Sequence, residues 1–152
     1  RLDEIMFALG EIVEAGVSRL TARQLAPALN AASSRPGFSK LFAAAAPRAA
    51  KIAARAVETA AAAAREGGER AKEPEKQKAN GWKVGGDLDG RTLGLLVNAL
   101  SKGKVFDGTL AEEFARATVT ATPLEGMTLG LLYNAFSRTA LWTGGGQQRS
   151  DG

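Results

Sequence analysis

The sequence predicts an all-α protein built from stacked helical hairpins, an α-solenoid-like repeat. Three observations predict it. The phrase TLGLLVNALSK at Thr92 to Lys102 returns as TLGLLYNAFSR at Thr128 to Arg138, 36 positions later, with eight of eleven residues identical. Within the phrase, Leu93, Leu96, Val97 and Leu100 span about 100° of a helical wheel, the width of a core-facing stripe. The apolar fraction is 45%, but Ala dominates it and aromatics make up only 6%, which favours closely spaced helices over a thick core.

The first block, 1–66, reads as an N-terminal helical region. LDEIMFALGEIVEAG sets Ile5, Leu9, Ile12 and Val13 on one stripe with Met6 beside it. Asp3 and Glu4 in the first turn favour the helix dipole, and Gly16 is a stop signal. TARQLAPALNAAS restarts the helix with Thr21 as N-cap, and Pro27 marks a kink or a first turn. SSRPGF is a turn. A short helix is expected from Ser39 to Ala46. Pro47 then opens the next one, from Arg48 to about Glu66.

The second block, 67–90, is charged and rich in Gly and Lys, and reads as a linker with Trp82 and Val84 as its apolar anchors. The third block, 91–142, is the helical repeat region. Its leading helix covers about Arg91 to Lys102, the second Thr109 to about Thr120, and the returning phrase Thr128 to Leu141. Residues 143–152 read as a flexible tail. A two-helix unit cannot bury its stripe alone, and stacking successive units buries it. Leu129, Leu132, Tyr133 and Phe136 are expected to face the core as their counterparts do. No polar cap follows, so a partner is expected at the C-terminal end of the stack.

Composition excludes several chemistries. With no Cys, there is neither a disulfide framework nor a thiolate metal site. With no His, triads and general bases that need imidazole are excluded, as is nearly every zinc site. No apolar run approaches the roughly 18 residues of a membrane span. The first residue is Arg1 rather than Met, which fits a processed product, a fragment or part of something longer. GGDLDG holds Asp87 and Asp89 but lacks the later ligands of a calcium loop. TGGGQQ has no Lys-Ser/Thr and no following helix, so it is no phosphate loop. Glu112 and Glu113 point about 100° apart, poor geometry for a carboxylate pair. Neither a catalytic constellation, a cofactor site nor a small-molecule site is expected.

LLVNALSK and LLYNAFSR resemble the leading helix of the heptatricopeptide-type repeats, found in organellar RNA-binding proteins related to the FAST-kinase-like and RAP-domain proteins. The resemblance covers about 55 of the 152 residues, and no RAP domain is visible. It implies an organellar, mitochondrial-matrix protein that holds or processes ribosomal RNA, of the kind found in apicomplexan mitochondrial ribosomes. FALGEIVEAG and LAPALNAAS match the repeat loosely, as one diverged unit.

The net charge of +4 and a pI near 9.7 lean toward an acidic partner. The excess is concentrated: Arg19 to Arg65 holds eight basic residues against Glu58 alone. Arg48, Lys51 and Arg55, spaced i, i+3, i+7, form a cationic stripe suited to RNA phosphates, which Arg35, Lys40 and Arg65 extend. The alternative is a solvated outer helix face. Asn98 and Asn134, with Lys102 and Arg138, hold equivalent slots where repeat proteins read bases. For the two Asn a packing role is favoured, as it is for Gly94, Gly130, Ser101 and Ser137. Trp82, Trp142 and Tyr133 are read as core or docking anchors ahead of base-stacking platforms.

Two functions follow from these expectations. One is a non-catalytic RNA-associated subunit bracing ribosomal RNA and neighbouring proteins in a mitochondrial ribosome. The other is a structural helical subunit of another organellar complex, without RNA contact.

Overall fold

The computed structural model describes residues 2–67, 83–84, 88–120 and 124–144. Most of the expected linker and tail lie outside them, as do Trp82, Asp87 and the side chain of Trp142. The described chain is almost wholly helical. Its elements are α1 (Leu2–Gly16), a short 3-10 turn (Val17–Arg19), α2 (Ala22–Ala32), α3 (Ser39–Gly67), strands β1 (Lys83–Val84) and β2 (Leu88–Asp89), α4 (Gly90–Lys102), α5 (Gly108–Thr120) and α6 (Gly126–Gly144).

Local chemistry sets three of the helix starts. The Gln24 side-chain oxygen accepts hydrogen bonds from the Thr21 backbone N–H at 3.1 Å and the Thr21 hydroxyl at 3.2 Å, where α2 begins. Asp89 caps α4 by accepting from the Thr92 N–H at 2.7 Å, and Asp107 caps α5 by accepting from the Leu110 N–H at 2.9 Å. Asp89 also ends β2, which pairs antiparallel with β1. Leu88, between these features, is fully buried. It is thus an apolar anchor of the 67–90 segment beyond Trp82 and Val84.

Pro47 does not start a new helix. It lies inside one 29-residue helix, α3, about 43 Å long at 1.5 Å per residue. A proline within a helix removes the bond to the carbonyl four residues earlier. Here Pro47 and Ala43 are both on the exposed side, so water can satisfy that carbonyl. The opposite side, Ala45, Ala49, Ala53 and Ala56, is buried and holds the helix continuous. Pro27 is likewise exposed inside α2.

The helices pack in two rows. In one, α4 packs against both α2 and α6; in the other, α3 packs against both α1 and α5. Leu93, Leu96, Val97 and Leu100 of α4 are fully buried, but so are Gly94 and Ala99, because α4 is covered on nearly every side. Gly94 lets α6 come close: a Cβ there would stand 3.2 Å from Thr128 Cγ2 and 3.4 Å from Leu131 Cδ1 of α6. Aromatic contacts tie the rows together. Phe38 stacks on Phe7 of α1, and Phe106 meets both Phe114 of α5 and Phe136 of α6.

The rows make a third copy of the phrase visible. Thr21 to Ala49 aligns without a gap on Asp89 to Ala117, 68 positions later. Arg23, Leu25, Asn30, Ser33, Phe38 and Arg48 meet Arg91, Leu93, Asn98, Ser101, Phe106 and Arg116. Ala22 and Ala26 replace Gly90 and Gly94, and all four are buried. Thus α2, α4 and α6 are three versions of one helix, each laid against the next.

Two expectations about burial are corrected. The α1 stripe is not core: Ile5, Leu9 and Ile12 are exposed, Ile12 by 68%, while Met6, Gly10 and Val13 turn inward toward Phe38 and its neighbours. In α6, Leu132 is buried and Phe136 half-buried as expected, but Leu129 is 51% and Tyr133 75% exposed, although Leu93 and Val97 in the same slots are fully buried. Helix α4 has a neighbour on the side where α6 has none among the described residues.

Candidate functional site

The cations expected on α3 divide into two groups. Lys40, Lys51, Arg55 and Arg65 are exposed. At 100° per residue they fall within about 80° of each other, on the side away from the buried alanines. Glu58 lies among them. Arg48 belongs to the same stretch of sequence, but its Nε and Nη2 donate to the Leu20 carbonyl oxygen at 2.9 and 2.7 Å. It is half-buried and ties α3 to the turn before α2. Arg35 is exposed on the turn between α2 and α3. Lys40 lines a groove with Glu11 and Glu14 of α1, so one end of the α3 row faces acidic neighbours.

The repeat-face residues also separate. Asn98 is only 6% exposed, four residues beyond Gly94 on the side of α4 that receives α6. That burial removes it from the candidate base-reading surface and fits the packing role. Asn134, in the same slot of α6, is exposed. Lys102 and Arg138 are exposed and do come together.

They meet in a groove of about 560 Å³ where α2 and α4 end beside the middle of α6. Lys102, Lys104 and Arg138 line it with the hydroxyl residues Ser33, Ser101 and Thr139. Phe106 contributes to its floor and is itself largely buried. Among the described residues Asp107 is the one carboxylate lining the groove, and it is engaged at the start of α5. Three cations against one committed acid leave a positive surface. The Ser33 hydroxyl donates to the Asn30 carbonyl at 2.8 Å and the Thr139 hydroxyl to the Ala135 carbonyl at 3.1 Å, so these two present lone pairs rather than protons to the groove.

Repetition builds this groove. Ser33 and Ser101 share one slot of the phrase, and Lys102 and Arg138 share the next. Lys104 comes from the turn after α4 and holds a left-handed backbone, φ 61°. The phrase spacing pointed to Lys102 and Arg138. Lys104 and Ser33 were missed, because their place in the groove depends on a turn and on the third copy of the phrase.

Chemically, the exposed cations Lys102, Lys104 and Arg138 suit the groove to an anionic ligand such as a phosphodiester backbone. Among the described residues, no cluster of acidic side chains could hold a metal ion, and no helix is long and apolar enough to cross a membrane. No protein-family model, curated protein or solved structure matches this chain.

Proposed function

We propose that this protein is a non-catalytic, RNA-associated helical-repeat protein. In this reading the two rows of helices are an α-solenoid, with α2, α4 and α6 as leading helices and α1, α3 and α5 as second helices. RNA backbone lies along the ends of the leading helices. The observation that carries the reading is the meeting of Lys102 and Arg138, equivalent residues of two copies, with Lys104 in one hydroxyl-lined groove. The exposed row Lys40, Lys51, Arg55 and Arg65 provides a second phosphate-binding surface on α3. The resemblance of LLVNALSK and LLYNAFSR to heptatricopeptide-type repeats supports the same reading. It alone supports the proposed setting, a mitochondrial ribosome in which the protein braces ribosomal RNA and neighbouring proteins.

A second reading is a structural subunit that contacts proteins only. It draws support from Arg48, which is committed to the Leu20 carbonyl, and from Lys40, which shares its groove with Glu11 and Glu14.

RNA crosslinking on the native particle, with peptide mapping, separates the two. Crosslinks on Ser101 to Phe106 and around Arg138 are expected, and a Lys102→Glu/Arg138→Glu variant should lose them. A particle whose RNA crosslinks to neither region nor to α3, while its proteins do crosslink to this chain, leaves the second reading standing.

A further inference from the structure

The groove where α2 and α4 end beside α6 sorts its side chains by depth. Lys102, Lys104 and Arg138 are exposed at its rim. Ser33, Ser101 and Thr139 are half-buried on its walls, and Phe106, 6% exposed, lies at its floor. We infer that this groove selects RNA over DNA by reading the ribose 2′-hydroxyl, with the Ser33 hydroxyl oxygen as the acceptor and that of Thr139 in support. The inference rests on the RNA reading proposed above and names what its groove recognises besides phosphate.

The direction of the hydroxyl protons carries the argument. A serine or threonine hydroxyl has one proton to donate and two lone pairs that accept. The Ser33 hydroxyl donates to the Asn30 carbonyl at 2.8 Å, three residues back on the same helix. The Thr139 hydroxyl faces two carbonyls, that of Ala135 at 3.1 Å and that of Phe106 at 3.3 Å. Both protons are directed at backbone oxygens of the fold, so the groove meets these hydroxyls as acceptors. A phosphodiester has no proton to offer them. Its own oxygens are acceptors, and two acceptors face to face repel. These hydroxyl oxygens suit a donor that arrives close to a phosphate. Along a nucleic-acid strand that donor is the ribose 2′-hydroxyl, which RNA has and DNA lacks.

Order and size agree with this assignment. From rim to floor, cations, hydroxyl oxygens and an aromatic ring follow the order of phosphate, sugar and base in a nucleotide. The volume of about 560 Å³ lies within the range of sites that enclose one small ligand, about 300–1,000 Å³, so the groove suits roughly one nucleotide of a longer strand. The cations cannot make the choice themselves, because RNA and DNA present the same phosphate charge and phosphate contacts position a strand without reading it.

The test uses the whole chain and single-stranded oligouridine in three forms: ribose, deoxyribose and 2′-fluoro. The 2′-fluoro strand keeps an RNA-like sugar pucker but has no hydroxyl proton. Fluorescence anisotropy at one fixed salt concentration gives the three affinities. The ribose form should bind about 2- to 10-fold more tightly than either of the others, the weight of a neutral hydrogen bond. Ser33→Ala should reduce that ratio, and Ser33→Ala/Thr139→Val should bring it close to one, with the deoxyribose affinity unchanged. Damage to the fold would weaken all three strands alike, so the ratio separates ribose reading from packing, and circular dichroism checks the fold. Lys102→Glu/Arg138→Glu should weaken all three strands.

Equal affinity for the three forms, each weakened by Lys102→Glu/Arg138→Glu, would overturn the inference and leave the groove a phosphate site. A ribose preference that survives both hydroxyl substitutions, or that the 2′-fluoro strand shares, would overturn it as well. Binding to none of the strands, or binding that Lys102→Glu/Arg138→Glu leaves unchanged, would remove the groove reading itself and this inference with it.

Discussion

The Arg48 guanidinium and the Leu20 carbonyl form a forked pair, with Nε and Nη2 at 2.9 and 2.7 Å from one oxygen, across 28 positions of chain. Leu20, whose N–H closes the 3-10 turn on the Val17 carbonyl at 3.2 Å, leads into α2, so this pair ties α3 to the start of α2. Hydrogen bonds from a charged donor contribute about 1.5–3 kcal/mol. A Lys at this position keeps the charge but cannot form the fork. Arg48→Lys should therefore lower unfolding free energy by about 1–2 kcal/mol in urea titration. The same substitution should leave RNA affinity unchanged, whereas Lys51→Ala should weaken RNA binding without destabilising the fold.

Gly94 and Gly130 occupy one slot of the repeated phrase in opposite surroundings. Replacing a helical glycine by leucine gains up to about 1 kcal/mol of helix propensity where the side chain has room. Gly130 has that room. Gly94 does not, and forcing a side chain into the α4–α6 contact costs about 1–3 kcal/mol or more. At low protein concentration, Gly130→Leu should raise the melting temperature or leave it unchanged, and Gly94→Leu should lower it by several degrees. Equal effects at the two sites would contradict the packing described for α4 and α6.

Lys104 holds φ at 61°, a conformation that costs a residue with a Cβ about 1–2 kcal/mol and costs glycine little. Lys104→Gly should therefore stabilise the protein by about 1 kcal/mol in thermal or chemical denaturation. It also removes a cation from the groove. If RNA backbone lies there, its binding should weaken, and the slope of log affinity against log salt should fall by about one contact's share. Higher stability with unchanged RNA binding would detach Lys104 from the proposed function.

The repeat and its helices were legible because the core stripe of the phrase is periodic and its turns carry Gly, Pro and Asp. The third copy was not, because Ala22 and Ala26 stand where the later copies have Gly. Two paired spacings of 68, Asn30 with Asn98 and Phe38 with Phe106, were the available signal. A helical wheel shows which face is apolar but not whether a neighbour covers it. For that reason Ile5, Leu9, Leu129 and Tyr133 read as core and proved exposed. The α3 stripe met a related limit. Sequence spacing put Arg48 with Lys51 and Arg55, but a carbonyl distant in the chain draws Arg48 to another task. The groove depends on three chain segments converging, so spacing could supply Lys102 and Arg138 and no more.

Asp107 tests the groove and the fold separately. Its carboxylate accepts from the Leu110 N–H at 2.9 Å and lines the groove beside Lys102, Lys104 and Arg138. An N-cap lost to alanine costs about 1 kcal/mol, whereas Asn caps about as well as Asp. Asp107→Ala should therefore destabilise the protein by about that amount, and Asp107→Asn should leave stability near wild type. Both remove the Asp107 negative charge from the groove, so both should tighten RNA binding at low salt, with the gain shrinking as salt rises. Isothermal denaturation and a salt series of binding titrations on the two variants read these effects independently. Tighter binding by Asp107→Asn at unchanged stability would tie the affinity to groove charge. Unchanged binding by both variants would place the RNA away from this groove and leave the outer row of α3 as the other proposed RNA surface.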